Sequence, residues 1–171
     1  ENVRVFSHKK PETFELGELR VALHGQSFRQ RDVTENLVPA YPEPVGGSFN
    51  IGVLHTGLGG MGGHLNYAPC TLADLINKGY DYWALGHVHQ HEIVCEAPHV
   101  VFPGNIQGRT IRETGPKGAV IVTVPRSEPR NPNAIRASTG TLFTAPLAVC
   151  ATESALELLR GGGEGECDGD E

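Results

Sequence analysis

The stretch from Tyr80 to His89 constrains the fold of this chain more than any other part of its sequence. It reads Tyr-Asp-Tyr-Trp-Ala-Leu-Gly-His-Val-His, and its aromatic and aliphatic side chains favour a half-buried β-strand. Gly86 permits a sharp turn or a close backbone approach where that strand ends. Because one residue separates His87 from His89, an extended backbone directs both imidazoles to the same side. The pair is therefore suited to bind one metal ion or two adjacent ions.

A third histidine is expected at the same edge of the sheet. His55 ends the apolar stretch Phe49–His55, which predicts another strand. Between the two strands, residues 71–74 have the spacing of a helix capping box, and Gly79 suits the left-handed position after a helix. A strand–helix–strand unit sets successive strands parallel, with their carboxyl ends at the edge where ligands bind in open α/β sheets. The sequence therefore predicts that the three histidines converge.

Each histidine also has a simpler interpretation. A single histidine is usually a hydrogen-bonded core residue or a solvated one, and this holds for His55 when it is considered alone. The Gly-His-Val-His pattern after an apolar strand favours metal binding more strongly. His24 ends an earlier strand; a position beneath the site is one interpretation, but a core or edge histidine is the favoured one. His91 continues the alternation from His89 but lies beyond the motif, and it is predicted to be solvated.

The remaining sequence predicts short strands separated by glycine and proline. These strands are expected over residues 3–6, 19–23, 92–95, 100–102, 110–112 and 119–124. Residues 56–69 contain five glycines, which favours a loop beside the site. Residues 125–171 contain four prolines and end in a glycine-rich acidic tail. We therefore predict one domain over residues 1–124, followed by a poorly ordered segment over residues 125–171.

Charge and hydropathy exclude few functions. The formal net charge is −6, but five acidic residues lie in the last eleven positions, leaving 15 acidic against 14 basic residues before them. Without a basic cluster, charge does not indicate a nucleic-acid substrate. No apolar run approaches the roughly 20 residues of a membrane span. The four cysteines lack metal-type spacing, so reduced thiols, a cytoplasmic location and no membrane partner are expected.

Several blocks of this sequence together resemble the calcineurin-like metallophosphoesterases. The blocks are Leu54–His55, Tyr82–His89 and Phe102–Arg109. Leu23–Phe28 and Arg112–Gly118 are similar to the DNA repair exonuclease branch of that superfamily, the SbcD-like and YhaO-like proteins. The resemblance spans about residues 1–124 and corresponds to the C-terminal part of the phosphoesterase domain. It implies a sheet-rich α/β fold (α+β in some classifications), a partial four-layer αββα sandwich.

The resemblance also implies a metal centre and an activity. Members of the family hold two divalent ions, usually manganese. By this resemblance His55 and His87 ligate one ion and His89 ligates the other. Two such ions clamp a phosphodiester and activate a water for hydrolysis. The implied function is a DNA exonuclease of DNA repair, acting on DNA beside an SMC-like ATPase partner.

The family's earlier motifs are not found at the expected places. Asp-x-His, Gly-Asp and Gly-Asn-His, which supply the other ligands and the catalytic histidine, do not precede the Gly-His-Val-His motif. No catalytic residue is therefore identified. The chain is expected to resemble a truncated member that lacks a complete two-ion centre and is inactive in isolation.

Two further questions stay open at the level of sequence. Arg109 is a candidate for binding the nucleic-acid backbone, but Arg109 and Lys117 are also predicted to be solvated or paired with acids such as Glu113. The substrate is DNA in the first hypothesis and a nucleotide or phosphoprotein in the second. A third hypothesis is a non-catalytic remnant that serves as an interaction module.

Overall fold

The computed structural model of the chain describes residues 3–30, 33–60, 67–124 and 136–140. Its strands are β1 (Glu12–Leu16), β2 (Val21–Gly25), β3 (Phe49–His55), β4 (Tyr82–Gly86), β5 (Glu92–Glu96), β6 (His99–Phe102), β7 (Ala119–Thr123) and β8 (Arg136–Gly140). One α-helix, α1, covers Leu72–Asn77. Short 3-10 turns cover Gly17–Leu19, Val38–Ala40 and Leu58–Gly60.

Six strands form one mixed sheet in the order β1-β2-β3-β4-β6-β5. The four central strands run parallel, and β1 and β5 are antiparallel strands at the two edges. β7 and β8 form a separate antiparallel pair. Because β3 and β4 are parallel neighbours, their carboxyl ends lie at the same edge, and His55 is paired in register with Gly86. This register brings two of the predicted site residues, His55 and His87, together.

The alternation of side chains along β4 divides the core into two layers. Trp83 and Leu85 belong to the cluster on the α1 side of the sheet, and the Trp83 indole donates a hydrogen bond of 3.1 Å to the carbonyl of Leu75 in α1. Tyr82 and Ala84 belong to the cluster on the opposite face, against which the side chains of β7 pack. α1, the six-stranded sheet and the β7–β8 pair thus form successive layers. The predicted sheet-rich α/β class is confirmed.

The predicted helix is confirmed together with both of its ends. The Thr71 hydroxyl accepts a hydrogen bond of 3.2 Å from the backbone of Asp74, and the Asp74 carboxylate accepts one of 2.8 Å from the backbone of Thr71. The hydrogen bonds that the Asp74 carboxylate accepts from the backbone N–H and the hydroxyl of Thr71 lower its pKa. Gly79 has φ +76°, the left-handed conformation expected after the helix. The helix has only six residues, so the buried Leu75 and the cap stabilise it more than helical propensity does.

Three of the predicted strand positions differ from the structure. Residues 3–6 are not a strand; instead Phe6 stacks on Phe14 of β1 with ring centroids 4.8 Å apart. The ordered hairpin uses β1 and β2, so the second strand begins at Val21 rather than at residue 19. Residues 110–112 form an exposed turn in which Ile111 is 97% exposed. Residues 3–6 and 110–112 have strand propensity, but among the strands that the structure describes none pairs with them.

Within residues 125–171, the structure describes only the backbone of β8, which pairs with β7. The predicted glycine-rich acidic tail and the rest of that segment lie outside the described residues. In the part of the chain that the structure does describe, no helix has the length and apolar character needed to cross a membrane.

Candidate metal centre

His55 and His87 meet at the carboxyl ends of β3 and β4. His55 is the last residue of β3, and His87 follows the last residue of β4. The Nε2 atom of His55 lies 3.3 Å from the Nδ1 atom of His87. The backbone N–H of Thr56 donates a 3.0 Å hydrogen bond to the carbonyl of Gly86, which extends the contact between the strands beyond His55. Sequence reasoning predicted this convergence, and it follows from the parallel pairing.

The backbone of His87 adopts an unusual conformation. Its φ angle is +117°, in a region that residues with a Cβ rarely adopt. Such strain costs roughly 1–3 kcal/mol and persists only where the surrounding structure enforces it. At this position the chain bends directly after β4, where the imidazole contacts His55. Strained residues of this kind cluster at functional sites.

Two aromatic rings flank the histidine pair. The ring centroid of Tyr67 lies 5.7 Å from that of His55 and 4.9 Å from that of His87. Phe28 approaches His55 edge-on at 6.0 Å. The carbonyl of Tyr67 accepts a 2.7 Å hydrogen bond from Gly57, which fixes the ring beside the loop that follows β3. Sequence reasoning did not identify Tyr67 or Phe28, because no local pattern relates them to the histidines.

A buried contact behind Tyr67 holds this segment in place. The Thr56 hydroxyl donates to the carbonyl of Ala68 at 2.7 Å and lies 3.3 Å from the Cys70 sulfur. Burial raises the pKa of the Cys70 thiol. The thiol therefore stays protonated near neutral pH and serves packing, because the reactive form of cysteine is the thiolate.

His89 contacts the carboxylate of Glu113, whereas His55 and His87 contact each other. Its Nδ1 atom lies 2.8 Å from the Oε1 atom of Glu113. The Oε2 atom of Glu113 accepts hydrogen bonds of 3.2 Å from the side-chain amide of Asn105 and from the backbone N–H of Arg109. Lys117 completes the cluster at 3.7 Å. Hydrogen bonds from His89, Arg109 and Asn105 lower the pKa of Glu113 from 4.5 to about 2, so it is ionised near neutral pH.

The structure shows how Arg109 and Lys117 lie relative to Glu113, the acid with which the sequence suggested that they pair. Lys117 pairs with Glu113, as the second interpretation predicted. Arg109 contacts the same carboxylate through its backbone, while the residue itself is exposed. Arg109 and His89 thus contact the same carboxylate, that of Glu113. Its predicted role in substrate binding stays a prediction.

Gly104 allows the chain after β6 to pack against the turn that carries His89. A Cβ atom at this position would lie 2.9 Å from the backbone nitrogen of His91 and 3.0 Å from the carbonyl oxygen of His89. The φ angle of Gly104 is +76°, which also favours glycine. The backbone N–H of Asn105 donates to the carbonyl of His89 at 3.2 Å. A glycine is therefore required for this close approach.

His24 lies in the core and outside the metal centre, as predicted. It is fully buried, stacks on Tyr80 at 4.3 Å, and hydrogen-bonds to Asn50 and Thr13. The backbone N–H of Val45 donates to the same Asn50 oxygen, so that atom only accepts and His24 must donate from Nε2. Burial lowers the pKa of His24. His24 is therefore a neutral structural residue, and the exposed His91 is solvated as predicted.

The His55–His87 pair has the chemistry of part of a metal site. Two nitrogens bound at about 2.1 Å to one ion lie roughly 3.0–3.4 Å apart, and the pair is separated by 3.3 Å. The separation of the two nitrogens is therefore compatible with both binding one divalent ion. Among the described residues, no group of three or more His, Cys, Asp or Glu side chains is placed to hold an ion. His89 therefore does not join the pair in one three-ligand cluster.

Comparison with known proteins gives the class that this part of the chain resembles. No family model matches the chain. The chain is, however, 42% identical over 128 residues to YhaO of Bacillus subtilis strain 168, an uncharacterized metallophosphoesterase. This match covers 72% of the chain and 31% of the length of that relative. This similarity confirms the resemblance of the matched part of the chain to the metallophosphoesterases of the calcineurin-like superfamily.

Proposed function

We propose that this protein takes part in the metal-dependent hydrolysis of phosphodiesters and that its substrate is DNA. The observation that carries the proposal is the 3.3 Å approach of His55 Nε2 to His87 Nδ1 at the ends of adjacent parallel strands. This approach occurs in a chain that is 42% identical to a metallophosphoesterase over 128 residues. Neutral nitrogen ligands suit the proposed role because they leave a bound ion its positive charge.

Each histidine has a defined part in this proposal. His55 and His87 hold one divalent ion, and His89 presents its Nε2 atom to a second. A bound divalent ion supplies a Lewis acid for phosphate oxygens and lowers the pKa of a bound water. Tyr67 and Phe28 flank the histidine pair in this site.

The exposed turn after Asn105 supports DNA as the substrate. Arg109 and Arg112 are both exposed in this turn, which lies next to His89 because Glu113 contacts His89. Arginine side chains bind phosphate oxygens through paired N–H donors. A nucleic-acid strand that reaches the histidines would therefore meet two basic side chains close to its scissile phosphate. Because the chain resembles the DNA repair exonuclease branch of the family, the proposal includes a role as an exonuclease in DNA repair.

The same resemblance supports manganese as the metal, two ions per complete site and an SMC-like ATPase as a partner. A cytoplasmic location also belongs to the proposal. Cys70 and Cys95 are free thiols, as expected in a reducing compartment.

A nuclease assay tests the proposal. Protein produced from its complete coding sequence is mixed with linear duplex DNA and Mn²⁺, and the release of nucleotides is followed. We expect Mn²⁺-dependent degradation that falls by about 100-fold in His87→Ala, equivalent to roughly 3 kcal/mol of lost transition-state stabilisation. His91→Ala removes an exposed histidine two residues beyond the motif and is the matched control, with an unchanged rate.

Three results would contradict this function. Metal-dependent hydrolysis of a nucleotide or a phosphopeptide without hydrolysis of DNA would identify a phosphatase or small-molecule phosphodiesterase. Hydrolysis of DNA that is equal in His87→Ala and the parent protein would place the activity elsewhere. No metal-dependent hydrolysis of any phosphoester would support a non-catalytic module.

A further inference from the structure

We infer that Glu113 is a positioning residue that fixes the ring nitrogens of His89, holding the proton on Nδ1 and leaving Nε2 as the metal-binding atom. This inference rests on the proposed function, in which His89 ligates an ion. It starts from the 2.8 Å contact between Nδ1 of His89 and Oε1 of Glu113. A carboxylate on the unused nitrogen is the usual means by which proteins orient a metal-binding histidine.

The hydrogen bonds around Glu113 leave His89 one arrangement. Both donors on the Oε2 side, the Asn105 amide and the Arg109 backbone N–H, lie 3.2 Å away. An ionised carboxylate only accepts hydrogen bonds, so the contact on its Oε1 side requires a proton on Nδ1 of His89. In a neutral imidazole, the lone pair is then on Nε2. The nitrogen that can bind an ion is therefore the one that faces away from Glu113.

The carboxylate is itself held in place. Asn105 joins both partners, because its side chain donates to Glu113 and its backbone N–H donates to the carbonyl of His89 at 3.2 Å. The backbone N–H of Glu113 donates to the carbonyl of Thr110 at 3.1 Å, which closes the turn that carries the acid. The side chain of Glu113 is 18% exposed, in contrast to a solvated surface acid. A closed ring of contacts runs through His89, Glu113 and Asn105, and it orients the imidazole before any ion binds.

Replacing Glu113 with glutamine distinguishes control of the His89 tautomer from a simple ion pair. A glutamine has one accepting oxygen and one donating amide. The glutamine oxygen lies on the side of the two donors, the Asn105 amide and the Arg109 backbone N–H. The glutamine NH₂ group therefore faces Nδ1 of His89. Nδ1 must then accept, and the proton moves to Nε2. The inference thus predicts that Glu113→Gln exchanges the two tautomers of His89.

Long-range ¹⁵N–¹H NMR of the metal-free protein at about pH 8, where imidazoles are neutral, measures this directly. The signals of His89 are assigned by their loss in His89→Gln. We expect the Nδ1–H tautomer in the parent protein and the Nε2–H tautomer in Glu113→Gln. Glu96→Gln, which changes an exposed acid on β5, is the matched control and should leave the parent tautomer unchanged.

A parent spectrum with the proton on Nε2, or with both tautomers, would overturn the inference. So would an unchanged Nδ1–H tautomer in a folded Glu113→Gln. If that variant does not fold, the parent spectrum decides alone. The measurement uses neither metal nor DNA, so its outcome is independent of the nuclease assay. An Nδ1–H tautomer without any hydrolysis would refute the proposed function and keep the assignment of Glu113.

Discussion

The Nε2 atom of His55 and the Nδ1 atom of His87 lie 3.3 Å apart, although 32 positions separate the two residues in the chain. The approach depends on the parallel pairing of β3 with β4, in which His55 is opposite Gly86. It is accompanied by a positive φ angle at His87, where the chain bends immediately after β4. Pairing and strain together place two imidazole nitrogens at a separation that allows one ion to bind both. The predictions below test the backbone, the packing and the electrostatics around this pair.

The first prediction concerns the strain at His87. Both His87→Gly and His87→Ala remove the imidazole, but only glycine adopts a φ of +117° without a Cβ penalty. We expect His87→Gly to be more stable than His87→Ala by about 1 kcal/mol in the free energy of unfolding. Urea denaturation followed by tryptophan fluorescence measures the difference.

The control for this prediction is the same pair of substitutions at His91, whose φ is not positive. At that position glycine should be the less stable of the two, by roughly 0.5–1 kcal/mol. An alanine that is as stable as glycine at position 87 would show that the backbone there is not strained.

The second prediction concerns the close approach at Gly104. Gly104→Ala places a Cβ atom 2.9 Å from the His91 backbone nitrogen and also meets a φ of +76°. Gly115→Ala meets a similar penalty at φ +90° but has no heavy atom within 4 Å. The difference between the two variants therefore isolates the steric effect. We expect Gly104→Ala to lose roughly 1–3 kcal/mol more stability than Gly115→Ala.

Thermal unfolding of both variants, measured side by side, checks this. NMR shifts of His89 should also move in Gly104→Ala, because the added methyl group displaces the turn that carries His89. Equal stability losses in the two variants, with unmoved His89 signals, would contradict the packing described here.

The third prediction concerns Arg109 and DNA. Removing one phosphate contact lowers the slope of log affinity against log salt concentration by about 0.9. We expect Arg109→Gln to weaken DNA binding and to reduce the slope by that amount, as measured by fluorescence anisotropy at several salt concentrations. Arg20→Gln is the control, since Arg20 is exposed next to the start of β2, at the opposite edge of the sheet. Identical slopes for both variants would show that Arg109 does not contact a DNA phosphate.

The fourth prediction concerns pH and His24. Burial lowers the pKa of His24 from its ordinary value of 6.5, so the folded state binds the proton less readily than the unfolded state. His24 therefore stabilises the fold fully above pH 6.5, and this stability is lost as the pH falls from 6.5 through the lowered folded-state pKa. Below that pKa the loss is complete and the contribution levels off.

Free energies of unfolding at several pH values between about 5 and 8 test this dependence. His24→Gln should lose the His24 part of the slope, whereas His91→Gln, which changes an exposed histidine, should retain it. A slope that is equal in the parent protein and in His24→Gln would show that His24 does not titrate differently in the two states.

Local patterns predicted the central unit of this fold well. The range Phe49–His55 agrees with β3, and the capping box with Gly79 agrees with the ends of α1. Those signals are strong because strand alternation and helix caps involve residues that are neighbours in sequence. Residues 3–6 show the limit: their side chains favour a strand, but Phe6 instead covers Gly25 and stacks on Phe14. Strand propensity alone does not supply a pairing partner.

The sequence by itself determined that histidines end two strands, that a capped helix connects those strands, and that the chain resembles the metallophosphoesterases. Only the tertiary structure decided which atoms meet. The contact of His89 with Glu113 joins residues 24 positions apart, and Tyr67 reaches the His55–His87 pair from the segment between β3 and α1. The physical reason is that periodicity and capping act within a few residues, whereas such contacts are set by strand register and by how loops close over the sheet edge.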